Sequence, residues 1–173
     1  MLPHQWEIFG DLLKNAISCS NFEIMSKVRG VALKCRLDEL QAAILGVKLR
    51  HLPNWNIKRQ DLAQRYLEGL QRRSLPLQTQ RFCPRAAPAR HLFVIKVPRD
   101  LRDLLVQRLA ERGVQALVHY PVPLYRQEAF VHLQKEENPS AEELCASVIS
   151  LPFHPYLDLQ DIDYVLESLQ GGL

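Results

Sequence analysis

Leu37, Leu40, Ile44 and Val47 recur at three- and four-residue steps, with Ala42 and Ala43 between them. This spacing predicts a helix running on from Arg36. Pro53 interrupts it, and a second apolar series through Leu62, Tyr66 and Leu70 predicts helix from about Trp55 onward. A proline cannot donate to the preceding turn but fits the first turn of a new helix, so two helices and one long kinked helix both remain open. After Ser74 the helical period is lost. Leu75-Pro-Leu-Gln reads as extended, and the proline-bearing stretch 84–88 as a loop. His91-Leu-Phe-Val-Ile-Lys-Val is a near-continuous apolar run ending at Pro98, which predicts a strand buried largely on both faces. Residues 99–112 return to helical spacing, with Leu101, Leu104, Leu105 and Leu109 on one face and Gly113 as the C-cap. Residues 114–119 predict a second strand, Pro121 and Pro123 a loop, 142–149 a helix, and 151–155 an extended segment. Asp158 is placed to cap a last helix through Val165 and Leu169. Residues 1–30 are less patterned; Trp6-Glu-Ile-Phe-Gly-Asp-Leu-Leu fits one or two amphipathic turns.

Strand, helix, glycine, strand and further helices describe an α+β domain, a short sheet packed against helices on one side. The order divides the chain into an irregular lead-in at 1–30, a helical segment at 31–72 and a small domain at 73–173. A chain of 173 residues is long enough to bury a core of its own.

Composition narrows the classes. A net charge of +3, with basic residues dispersed apart from pairs such as Arg72-Arg73, gives no footprint for nucleic acid. No apolar run approaches the roughly 20 residues that span a bilayer, and the first residues carry neither a basic nor an apolar leader region, so a cytoplasmic location is expected. Cys19, Cys35, Cys83 and Cys145 lie far apart without a C-x-x-C pair, a spacing that suggests neither a metal site nor a disulfide framework. No glycine-rich phosphate cradle occurs.

Four phrases carry a resemblance. They are Arg36-Leu-Asp-Glu-Leu-Gln-Ala-Ala-Ile-Leu, His91-Leu-Phe-Val-Ile, Arg112-Gly-Val-Gln-Ala-Leu-Val-His-Tyr-Pro-Val-Pro-Leu, and Leu151-Pro-Phe-His-Pro-Tyr-Leu leading into Asp161-Ile-Asp-Tyr-Val. In this order they resemble the C-terminal part of the DegT/DnrJ/StrS aminotransferases, which use pyridoxal 5'-phosphate (PLP) to aminate keto-sugars, usually nucleotide-linked. The resemblance implies the small C-terminal domain of a fold-type-I transferase, with a mostly antiparallel sheet preceded by a long interdomain helix, and it leaves residues 1–30 as either the remnant of the large domain's end or an irregular lead-in. It implies as partners a large aminotransferase domain or a second protomer, and a sugar substrate.

It also implies what these residues lack. The family's Schiff-base lysine and pyridinium aspartate belong to the preceding large domain, and none of the seven lysines here stands in that lysine's context. No catalytic residue is therefore assigned, and the chain by itself is expected to bind no PLP and to be inactive. The alternative is a non-catalytic remnant or dimerisation module that keeps the small-domain fold. The family's Gly-x-Asn-x-Arg pattern, whose asparagine reaches the phosphate of the partner's PLP, is altered: counting back from Arg36, Lys34 stands at the asparagine position. Lysine can hold a phosphate as a point charge, so Lys34 and Arg36 are the candidate cofactor contacts. His119 and Tyr120 fall in the family's His-Tyr-Pro segment at the active-site mouth and are the candidate substrate contacts. His91, His154 and the carboxylates Asp161 and Asp163 are read as structural.

Overall fold

A computed structural model describes residues 39–83, 85–86, 88–130 and 137–173. Glu39–Leu49 (α1) and Leu52–Arg72 (α2) are two helices, which settles the question left by Pro53. His51 occupies the N-cap of α2 and the proline sits in its first turn, where a missing N–H costs nothing. Three strands follow in the order β1 (Gln78–Thr79), β2 (Phe93–Lys96) and β3 (Val148–Leu151), antiparallel throughout. The helices α3 (Arg102–Glu111), α4 (Pro139–Ser147) and α5 (Leu159–Gln170) complete the described α-helices and strands.

The core follows from register. Phe93 pairs with Leu151 and Ile95 with Ile149, so four buried side chains stand on one face of the sheet. Against them pack Leu62, Tyr66 and Leu70 of α2, Leu105 and Leu109 of α3, and Ile162, Leu166 and Leu169 of α5. Val94 and Ser150, paired with each other, point to the opposite face. The architecture is thus α+β, with helices gathered on one side of a short antiparallel sheet.

Four sequence expectations change. The strand at 91–97 is shortened to Phe93–Lys96 and alternates buried with half-buried positions, because helices cover only one of its faces. The helix at 99–112 begins as a 3-10 turn, Arg99–Leu101, and only Leu105 and Leu109 reach the core while Leu101 and Leu104 stay exposed. Residues 114–119 make a single bridge, Leu117 with Ser150, in place of a strand. The Ala116 N–H turns back to the Val114 carbonyl at 3.1 Å, a tight local turn that removes it from any ladder. The helix expected at 142–149 ends at Ser147, and Val148 and Ile149 open β3, where β-branched side chains meet Lys96 and Ile95.

Gly113 has φ +74 just past the end of α3, as a C-capping glycine should. Asp158 and Asp161 form the capping box at the start of α5, the Asp161 carboxylate accepting from the Asp158 N–H at 3.0 Å.

The described residues of 39–119 and 146–173 belong to one compact unit, and those of 120–145 to another. In the latter, the Tyr125 hydroxyl and Arg126 Nε both donate to Glu142 Oε1, the arginine at 2.7 Å. The Asn138 N–H donates to the Tyr125 oxygen at 3.3 Å, so the turn after Pro123 is tied to the start of α4.

Candidate functional site

Of the predicted site residues, Lys34 and Arg36 lie outside the described residues. His119 ends the first stretch of the sheet-bearing unit, and Tyr120, exposed, begins the described stretch of the other. His119 is half-buried, and its Nδ1 lies 3.0 Å from the Ser150 hydroxyl on β3. Burial, and then the neighbouring charge of His91, hold the His119 imidazole below the ordinary histidine range. The ring is therefore neutral at pH 7, suited to hydrogen bonding rather than to pairing with a carboxylate.

Ser150 was not anticipated from sequence. Its only local signal is a hydroxyl inside the apolar run Val148-Ile-Ser-Leu, at the position that alternation turns away from the core.

Asp161, Asp163 and His154 make local or inter-helix contacts. Asp161 serves the cap of α5, whereas Asp163 accepts from Arg65 Nε at 3.1 Å and from Arg65 Nη2 at 2.5 Å. That bidentate bond holds the Asp163 carboxyl below the usual carboxylate range and ties α2 to α5. His154 Nδ1 accepts from the Tyr156 N–H at 3.3 Å, a turn contact. His91 is exposed and precedes the first paired residue of β2.

An open groove of about 460 Å³ lies between α2 and the turn before α5, lined by Lys58, Asp61, Leu62 and residues 155–159. It collects a lysine, two carboxylates (Asp61 and Asp158) and the Tyr156 ring, and so invites comparison with a PLP site. The fit fails on charge. A phosphate dianion would face both carboxylates with Lys58 as the one cation of the lining. The helix terminus that could cradle it, at α5, is already taken by the Asp158–Asp161 capping box. The lining of this groove does not fit PLP.

The model of the DegT/DnrJ/EryC1/StrS aminotransferase family matches residues 12–170. The erythromycin biosynthesis sensory transduction protein EryC1 of Saccharopolyspora erythraea is 41% identical over 164 residues, covering 93% of this chain and 43% of that protein. The dTDP-3-amino-3,6-dideoxy-alpha-D-galactopyranose transaminase of Aneurinibacillus thermoaerophilus is 35% identical over 159 residues, 92% of this chain and 42% of the enzyme. Among solved structures, S. venezuelae DesV in complex with a ketimine intermediate superposes with a TM-score of 0.72 at 37% identity, over 79% of this chain and 36% of that one. The chain thus spans about two fifths of the length of the curated relatives it matches.

Proposed function

The chain belongs to the DegT/DnrJ/EryC1/StrS aminotransferase family, and on that premise we propose that it forms the small-domain part of a fold-type-I, PLP-dependent transaminase of nucleotide-linked keto-sugars. The observation that carries this is the match over 12–170, which runs through all four phrases and the whole core. In this reading residues 31–72 are the interdomain helical segment and 73–173 the small domain, with 1–30 leading in. His119 and Tyr120 contact the sugar substrate. Lys34 and Arg36 face the phosphate of a partner protomer's cofactor. When bound, PLP supplies the electron sink for amino transfer. The residues here shape the entrance to that site and do not carry the lysine that would hold the cofactor.

A direct test is to treat these purified 173 residues with PLP and then borohydride. The expected result is no PLP fixed on any lysine by mass spectrometry. Stoichiometric fixation on one lysine would overturn the assignment of the chemistry to residues outside this chain.

The helix α1 supports the same reading. None of its residues is buried, although Ile44, Leu45, Val47 and Leu49 are all apolar and about half or more of each is exposed. Exposed apolar surface spread this widely around a helix marks a docking region, and we assign it to the large domain of the transaminase. In isolation the face should drive self-association: sedimentation should show oligomers at micromolar concentration. Ile44→Glu with Val47→Glu should restore a monomer with an unchanged melting temperature. A monodisperse monomer of the unaltered chain would defeat the assignment.

A further inference from the structure

We infer that Ser150 is a positioning residue for His119, whose hydroxyl donates to Nδ1 and so fixes the ring with its proton on Nε2. The functional meaning of this rests on the reading of His119 as a substrate contact; the geometry does not. Ser150 is buried in β3 and exchanges both backbone hydrogen bonds with Leu117, accepting at 2.9 Å and donating at 2.7 Å. Leu117 is therefore its directly opposed partner, and His119, two residues further on, is the diagonal neighbour. That separation is within reach of a long side chain across antiparallel backbone. One residue thus anchors the incoming chain with its main chain and the imidazole with its side chain.

The direction of the hydrogen bond follows from burial. A buried hydroxyl that keeps its proton unshared bears the full desolvation of that group. Among the described residues, the side-chain acceptor within reach of Ser150 Oγ is His119 Nδ1, at 3.0 Å. An imidazole nitrogen that accepts carries no hydrogen, so the neutral ring is protonated on Nε2. The setting keeps the ring in that neutral form, because both its partial burial and the nearby His91 oppose a positive charge. A nitrogen that already carries the proton is a donor and not a general base, so the role this fixes for His119 is positional.

The experiment is a long-range ¹H–¹⁵N correlation spectrum of the histidine rings of the 173-residue protein. It is recorded at a pH well above the ordinary histidine value, with His119 assigned by its loss in His119→Gln. The expected spectrum shows His119 as a single Nε2–H tautomer. Ser150→Ala should move its two nitrogen shifts together toward the averaged values of a free imidazole, while Ser150→Thr, which keeps the hydroxyl, should restore them. Unchanged amide shifts at Ile149 and Leu151 would show that the strand is intact in both variants. An Nδ1–H tautomer in the unaltered protein overturns the inference without any variant, as do identical His119 shifts in Ser150→Ala and the unaltered chain. The spectrum reports on Ser150 whatever His119 contacts. A substrate that binds equally well to His119→Ala would defeat the reading of the site and leave this assignment standing.

Discussion

Tyr66→Ala is expected to remove about 3–5 kcal/mol of folding stability, the usual cost of deleting a fully buried aromatic ring. Tyr66 is wholly buried in the C-terminal half of α2, stacked on Phe93 with ring centroids 4.5 Å apart and tilted against Phe153 at 6.5 Å. It joins α2 to the central strand β2, so its loss opens a cavity between two layers that have no other aromatic contact of that closeness among the described residues. The hydroxyl adds a second contribution, donating to the Pro152 carbonyl at 2.9 Å. Tyr66→Phe keeps the ring and orphans that carbonyl, at a cost of about 1–3 kcal/mol. Urea unfolding of the two variants separates the contributions. A Tyr66→Ala protein within 1 kcal/mol of the parent would mean that this stack is not part of the core. Burial also pushes the Tyr66 phenol far above the ordinary tyrosine range, so it should be among the last tyrosines to ionise in alkali.

The second large effect concerns the crossing of α2 and α5. A Cβ built on Gly69 would lie 2.2 Å from Leu166 Cδ1 and 3.3 Å from its Cγ. Leu166 is completely buried, so it has nowhere to withdraw. Glycine in mid-helix ordinarily gives up about 1 kcal/mol relative to alanine, and this one is retained where the helices touch. Leu166→Ala should cost about 2–5 kcal/mol. Gly69→Ala alone should also destabilise, because overpacking of about 1–3 kcal/mol outweighs the gain in helix propensity. In the Leu166→Ala background the same Gly69→Ala change should stabilise, since the clash is gone and the propensity gain remains. Chemical denaturation of all four proteins measures this reversal of sign. If Gly69→Ala had the same effect in both backgrounds, the proposed contact would be wrong.

Elements whose evidence is local were legible. The apolar spacing through Leu62, Tyr66 and Leu70 belongs to one helical face and marks α2, and all three side chains are buried. Asp158 with Asp161, and Gly113 with its positive φ, are capping devices whose residue types are set within one turn of chain. The α+β class followed from their order. The candidate site was legible only in part: the phrase around His119 pointed to that residue, but nothing near it in sequence pointed to Ser150, 31 positions away.

What the amino-acid order determined by itself is therefore the family, the principal helices and the caps at Gly113 and Asp158, because periodicity and capping act over a few residues. Tertiary structure decided the rest. It chose Leu105 and Leu109 over Leu101 and Leu104, because a helix meets the core along a stripe narrower than its apolar face. It gave Val148 and Ile149 to a strand by offering them partners on β2, and reduced 114–119 to one bridge. It also left the regular apolar stripe of α1 exposed. Periodicity states that a face seeks cover, but only the packed partners determine whether this chain supplies it.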